Sequence, residues 1–565
     1  MAIADTVLLN GKVATVDRKF SFKEAVAVKD GWIIDVGTTD EIRQYVGPYT
    51  KQIDLGGKVL LPAAHDSHAH GWNYGKSCLT LDLGEDKVKT LDEALAKLKA
   101  EVEKHAPGEW IRGQGINLEA LEAASFSERR RITCKDLDAV SPNNPVMLLF
   151  WSMHGLICNS MAMELAHVNK ETPDPVGGSI IERFEDGSPN GVFLETEAMR
   201  YVYLAAPATT PEEIEAGIMH FQSILNSQGY TGYTESTCEM TPGSEGDLAI
   251  RCYPRLLEEG RLTNRVSVGL ICGPPQLQCP EFQAKMLDEW DRPPEVDKNW
   301  LKYPLVKIFC DGVHLARTAW MLDDYRGFPG EHGGCVIPGD TEEEQAKNLQ
   351  GMILEAHKRG YQVGVHSIGN KAVQVVIEGY IKAMQDYPGP HLRHYVIHAD
   401  SLASEEQGKL AARFGIPFSV QPGMQNMLFE PTIELLGEEL GSRAFGLADH
   451  IANGVICCGG TDAIHGEYTH WRSAVSQAML RKSLFTGKVY RPDLAITLEQ
   501  GIRLFTINAA YQEHAETIRG SIEVGKVADF QVLDGDIFNM EPEEIASVGI
   551  EMTMAGGKVV YEKPM

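Results

Sequence analysis

The sequence predicts an α/β protein: a (β/α)8 (TIM) barrel, a small β-sandwich built from both termini, and an inserted α/β subdomain. Three observations lead there. Eight short apolar runs recur along the chain, with helix-like segments between most of them. Strand-and-turn texture opens the chain and returns at its end. Between the first and second runs the rhythm is broken by residues 86–204. At 565 residues the chain exceeds what one compact core holds, so a large barrel with satellite domains is expected.

The elements follow in order. Thr6–Leu9, Lys12–Val16, Glu24–Val28 and Trp32–Val36 are short strands separated by turn signals such as Lys29-Asp30-Gly31, and a further strand pair surrounds Gly56-Gly57. Gly520 to Leu533 and Ala555 to Tyr561 repeat this texture, so residues 1–60 and 515–565 are expected to form one scaffolding sandwich. Residues 61–85 and 205–514 are assigned to the barrel. There Thr210-Pro211-Glu212-Glu213 starts a helix, with Thr as cap, Pro in the first turn and Glu three residues after the cap. Ile214, Ile218, Phe221 and Leu225 give it an apolar face, and Gly229 ends it. Strands are expected at Gly232–Glu235, Arg265–Leu270, Leu305–Phe309, Tyr361–His366, Tyr395–His398, Ile416–Val420 and Val455–Cys458. The eighth, first in order, is read from Val59-Leu60-Leu61 running into His68-Ala69-His70. The insert, residues 86–204, holds a helical stretch from Leu91 to Lys104, Trp110 to Gly115, an apolar run Val146–Trp151 leading to His154, and loop and hairpin over 172–191. It is expected to cover the barrel mouth.

Composition narrows the partners. Hydrophobic content of 43% and charged content of 23% are those of an ordinary soluble protein. A formal charge of −27 repels phosphate backbones, so no nucleic acid is expected. No apolar stretch reaches the ~18 residues of a membrane span, and Met1 to Thr6 lacks the charged start of a signal peptide. The expected location is the cytoplasm. Eleven Cys, an odd count without Cys-x-x-Cys pairs, fit reduced thiols, and Cys457-Cys458 reads as a plain buried pair.

The chemistry gathers at strand ends. Side chains two apart on a strand share a face, so His68 and His70 converge at the end of the first barrel strand, as two imidazoles gripping one metal ion do. Lys307, His366, His398 and Asp462 stand at or just beyond the ends of four later strands. A barrel brings strand C-termini to one rim, which makes a set of four His, one Lys and one Asp. Each has an ordinary alternative: a hydrogen-bonded core histidine, a Lys307 that snorkels or pairs with Asp311, an Asp462 that caps the next helix. Six such coincidences in barrel order are the weaker account.

The phrases Pro62-x-x-x-Asp66-Ser67-His68-x-His70, Lys307-Ile-Phe-x-Asp311-Gly312, His366-Ser-Ile-Gly-Asn370, Ile397-His-Ala-Asp400 and Gly459-Gly-Thr-Asp462 resemble the amidohydrolase superfamily. Within it the likeness is to the large-insert branch that includes N-substituted formamide deformylases. Gly520-x-Ile-x-x-Gly-Lys-x-Ala-Asp529, Trp110-Ile-x-Gly-x-Gly115 and His154-Gly-Leu-Ile-Cys-Asn159-Ser160 extend it over nearly the whole chain. The resemblance implies a centre of one or two divalent ions: zinc first, with manganese, iron or nickel as alternatives that His and carboxylate ligands also suit. His68 and His70 would hold the more buried ion, and His366 and His398 the more exposed one. Lys307, N6-carboxylated, would bridge them; burial lowers its pKa in the direction that reaction with carbon dioxide needs. Two ions would share an activated hydroxide, from which Asp462 takes a proton that it returns to the leaving group. A single-metal centre with fewer of these ligands also occurs among relatives.

The implied reaction is hydrolysis of a C–N bond, in an amide or cyclic amide of a small molecule, by a homodimer. The alternatives are cleavage of a C–O or C–C bond on the same scaffold, or a metal-stabilised binding protein without catalysis. The sequence departs from the pattern at Ala63-Ala64-His65, where the family has Gly-Phe-Ile, and by parity His65 points away from His68. Trp72, Tyr74, His154, Arg317 and Trp320 are substrate-pocket candidates, with an ion pair the competing role for Arg317. His391 and His394 read as helix-end or surface residues, lacking the Glu of a His-Glu-x-x-His zinc helix.

Overall fold

A computed structural model of the protein describes residues 2–84, 87–117, 132–151, 154–175, 179–274, 277–463 and 470–564. They divide into two compact units, Met1–Gly71 with Gln222–Met565, and Trp72–Phe221.

The first unit holds eight parallel strands in sequence order: β1 (Ala64–Ala69), β2 (Tyr230–Glu239), β3 (Arg265–Ile271), β4 (Leu301–Phe309), β5 (Gln362–His366), β6 (Tyr395–Ile397), β7 (Phe418–Val420) and β8 (Cys457–Gly459). Helices such as Glu245–Glu258, Glu342–Lys358, Asn370–Asp386 and Trp471–Leu480 alternate with them. Among the described residues no ladder joins β8 to β1. The gap closes by other means: Ser67 Oγ donates to the Cys458 carbonyl at 3.0 Å, and the Asp462 N–H donates to the His68 carbonyl at 2.9 Å. This approach requires Gly460, where a Cβ would stand 2.9 Å from the His68 nitrogen.

Two sheets flank the barrel in the same unit. One has the order Trp32–Gly37, Ala25–Lys29, Thr6–Leu9, Lys51–Asp54. The other runs Lys558–Glu562, Ile550–Ala555, Phe530–Leu533, Val59–Pro62, Lys12–Ala14, Phe22–Lys23, so both termini build it. Leu8, Val26 and Ile33 of the first meet Val13, Leu60, Phe530, Val532 and Met552 of the second in one core.

This corrects one expectation. The run Val59-Leu60-Leu61 is not the start of the barrel strand but a sandwich strand, paired with Phe530–Leu533 and Lys12–Ala14. The barrel strand starts at Ala64, after a switch at Ala63, whose N–H donates to the Asp529 carbonyl. A continuous apolar run marks a strand buried on both faces, and either sheet meets that description.

The second unit contains a six-stranded sheet, Ile180–Arg183, Pro189–Leu194, Gly155–Cys158, Val146–Phe150, Ile111–Ile116, Leu81–Asp82, and helices including Leu91–Val102. It reaches further at both ends than the expected 86–204. The helix Pro211–Ser227 starts as its sequence dictates: the Glu213 N–H donates to Thr210 Oγ1 at 3.2 Å, and the Thr210 N–H to Glu213 Oε2 at 2.7 Å. All eleven cysteines are free thiols, and no helix among the described residues is long and apolar enough to cross a membrane.

Candidate metal centre

Strand parity does at β1 what the sequence requires of it. His68 and His70 present Nε2 to a single oxygen, Asp462 Oδ1, at 3.1 and 2.9 Å. Asp462 follows β8 with φ of +63°, a left-handed conformation fixed by its N–H bond to the His68 carbonyl. On the other side of His68, Nδ1 lies 2.8 Å from Ser236 Oγ of β2. His398, immediately after β6 and also left-handed at φ +66°, brings its ring centroid to 5.3 Å from that of His68 and 4.7 Å from that of His366 at the end of β5. His398 Nδ1 faces Gln421 Oε1 at 2.7 Å.

Lys307, near the end of β4, is buried, its Nζ without a hydrogen-bond partner among the described residues and 4.7 Å from the Phe309 ring centroid. It does not pair with Asp311. Burial drives its amine down to about 7, opposed only in part by the charge of Asp462. Burial likewise lowers His398 to about 4. For Asp462, burial acts in the raising direction, but His398, His68 and His70 together hold the carboxyl well below its ordinary range.

Three further aspartates buckle neighbouring strand ends together. Asp66 of β1 accepts the Thr461 N–H at 2.9 Å, the His68 N–H at 3.1 Å and the Thr461 hydroxyl, tying β1 to the segment after β8. Asp311, after β4, accepts N–H groups of Trp320, Ile368 and Gly369 at 2.8, 3.0 and 2.8 Å, holding the segment after β5. Asp400, after β6, accepts the Gln421 N–H at 3.0 Å, just past β7. Burial raises each carboxyl to about 7 against these hydrogen bonds. Their work is to place the residues beside them.

The other candidates lie as follows. His65 turns away from His68 and meets Glu513, Nε2 to Oε1 at 2.8 Å. Arg317 is committed to Glu331 at 2.9 Å and stacks 4.0 Å over the Phe328 ring, the ion pair that competed with a substrate role. Trp320 is buried with Lys371 Nζ 4.8 Å from its ring centroid. In the second unit, Trp72 and Tyr74 are buried on the helix Gly71–Ser77, Tyr74 edge-on to Phe221 at 6.0 Å, and His154 Nδ1 lies 3.0 Å from Glu195 Oε2. His391 is exposed, but His394 is buried and joined to His357 at 2.8 Å. Sequence reasoning passed over Ser236 and Gln421. Neither residue type stands out: Ser236 lies within β2 and Gln421 just past β7.

Fold and rim together define a class: a (β/α)8 protein whose strand ends offer nitrogen and oxygen ligands to a divalent cation. The donor set fits one, since His68, His70 and Asp462 offer ligand atoms all within 4.8 Å of one another, and the buried Lys307 amine has no hydrogen-bond partner among the described residues. The pattern of the amidohydrolase family runs through residues 51–561, and the chain belongs to that family; it is a hydrolase. The chain is 28% identical over 545 residues to the protein YtcJ of Bacillus subtilis (strain 168), covering 96% of each. It is 26% identical over 565 residues to an N-substituted formamide deformylase of Arthrobacter pascens, covering 99% of this chain and 98% of that one. In fold it is similar to an uncharacterized metal-dependent hydrolase from Pyrococcus horikoshii OT3, with a TM-score of 0.73 at 22% identity over 95% of this chain and 99% of that one.

Proposed function

We propose that the protein hydrolyses a C–N bond, in an amide or cyclic amide of a small molecule, with one or two divalent ions held by His68, His70, Lys307, His366, His398 and Asp462. One observation carries the reading: two imidazole nitrogens from the end of β1 and a carboxylate from the segment after β8 meet within 3.1 Å. The likeness to an N-substituted formamide deformylase supports the choice of bond. A bound divalent cation supplies Lewis acidity and lowers the pKa of water.

The chain does the rest. Asp462, kept anionic by the imidazoles around it, takes the proton of the attacking water and delivers it to the departing nitrogen. Lys307, its amine lowered to about 7 by burial, adds to carbon dioxide as the neutral form. A nitrogen–carbon bond forms, one proton leaves to solvent, and the product is an anionic oxygen ligand. Asp66, Asp311 and Asp400 keep the strand ends that bear these groups in register.

The test is metal content measured beside hydrolysis of a panel of N-formyl amines, other amides, cyclic amides and esters. The expected result is amide turnover that disappears on chelation and returns with added metal. Asp462→Asn is expected to lower kcat by roughly 10²–10⁴-fold while the histidines retain metal. Metal-loaded protein that cleaves esters but no amide overturns the bond assignment. Protein that takes up no divalent cation overturns the reading as a whole.

A further inference from the structure

A carboxamide has two ends of nearly the same shape and opposite hydrogen-bonding sense. Which end of Gln421 faces His398 therefore matters. An oxygen opposite Nδ1 requires Nδ1–H and leaves the lone pair on Nε2; an NH2 there forces the reverse. The structure decides this from a distance. Ser67 Oγ lies 3.0 Å from the Cys458 carbonyl, a group that can only accept, so the Ser67 proton points there. Ser67 then accepts from Ser419 Oγ, 3.0 Å away. Ser419, having given its proton, accepts from Gln421 Nε2 at 3.4 Å. That turns Gln421 Oε1 to His398 Nδ1 at 2.7 Å.

The Gln421 backbone is pinned as well, its N–H on Asp400 at 3.0 Å. Ser67, Ser419, Gln421 and His398 are all buried, so water does not compete for these bonds. His68 has no such device. Its partner at Nδ1 is the hydroxyl of Ser236, which serves as donor or acceptor alike.

We propose that Gln421 is a positioning residue that fixes His398 as the Nδ1–H tautomer with Nε2 free to ligate, and that the one-way chain Gln421–Ser419–Ser67–Cys458 sets the sense of its amide. The proposal rests on the reading of His398 as a metal ligand. It assigns Gln421, Ser419 and Ser67 a part in metal affinity although none of them is itself a ligand. Partners of this kind orient a ligating imidazole and raise its basicity.

The experiment compares side chains of opposite sense at one position. Zinc affinity of the chelator-stripped protein is measured by competition with a chromophoric chelator, with a thermal melt of each stripped variant alongside. Gln421→Met, which neither donates nor accepts at that point, is expected to weaken zinc binding about 10–100-fold. Gln421→Glu, an acceptor only, is expected to stay close to wild type. Gln421→Lys, a donor only, is expected to lose at least as much as Gln421→Met. Ser67→Ala is expected to fall between wild type and Gln421→Met, because the amide is then free to turn. A merely structural role would order affinities by the stripped melting temperature, not by donor or acceptor character.

Wild-type affinity in Gln421→Met, or equal losses in Gln421→Glu and Gln421→Lys, overturns the proposal. Should Gln421→Lys fail to fold, Gln421→Met against Gln421→Glu carries the same contrast. His398→Ala separates the two readings. If it binds zinc as wild type does, the ligand assignment fails and the proposal with it; if it loses zinc while Gln421→Met does not, the positioning role alone fails.

Discussion

Lys307 shows what one residue can reveal. A buried ammonium group with no hydrogen-bond partner among the described residues is costly as a cation, and burial brings its pKa to about 7. The proposed carboxylated form would turn that cost into a ligand. Native mass spectrometry of protein purified in bicarbonate is expected to show the added mass of one carbon dioxide, absent in Lys307→Met. The same variant should bind metal at least about 10–100-fold more weakly. An unmodified lysine in fully active, metal-loaded protein sinks the assignment. The strand-end places of His68, His70, Lys307, His366, His398 and Asp462 were legible in the sequence, because each pairs a scarce chemistry with the end of an apolar run. Gln421 and Ser236 were not, because amides and hydroxyls carry no signal until their partners are known. His394 misled: its spacing from His398 lacks the Glu of a zinc helix, which suggested a surface residue, yet it is buried, and its partners, His357 and the Val363 N–H, come from elsewhere in the chain.

Between elements, the rim is held by carboxylates that accept backbone N–H groups. Asp311 is the fullest case, with three donors from two segments. Asp311→Ala leaves all three buried and unpaired, at roughly 1–3 kcal/mol each. The expected outcome is a loss of at least about 3 kcal/mol in denaturant unfolding, with weaker metal retention through His366 beside it. A change under about 1 kcal/mol would show that these donors find other partners. The ends of the chain are tied to the barrel in a similar way. Arg265 of β3 grips Asp529 through Nε and Nη2 at 2.7 and 3.0 Å, which explains why the terminal phrase Gly-Lys-x-Ala-Asp ends in an acid. The sequence displayed that phrase plainly but not its partner, since the ion pair spans 264 residues. The misassigned run Val59–Leu61 has the same origin, because local pattern names a strand and only long-range pairing names its sheet.

At the scale of the molecule, the eight-strand order and the two-ended sandwich were legible because both rest on repeating texture. What joins them was not. A buried knot around Glu513 lies where barrel and sandwich meet: His65 at 2.8 Å, Thr234 at 3.1 Å and Arg519 all bond its carboxylate. Burial acts to raise this carboxyl, but His65, Lys302 and Arg519 outweigh it and hold it well below the ordinary 4.5. A carboxyl depressed in the folded state contributes stability that is complete above its unfolded value and lost as pH falls through its folded one. Glu513→Gln is therefore expected to cost about 3–5 kcal/mol at pH 7, leaving buried cations unpaired. The gap to wild type should narrow below pH 4.5. A pH-independent gap in chemical unfolding would refute this origin.

The eight strands form an open ring, and the break falls between β1 and β8. His68 and His70 stand on one lip of that break and Asp462 on the other. Any ion they share would span the one place in the ring where, among the described residues, no ladder resists opening, and so would act as a rivet as well as a reagent. Chelation is then expected to speed hydrogen–deuterium exchange first at the amides of β1 and of residues 457–462, ahead of β3 and β4, which lie away from the break. Uniform acceleration around the ring would mean that its integrity owes nothing to the cation.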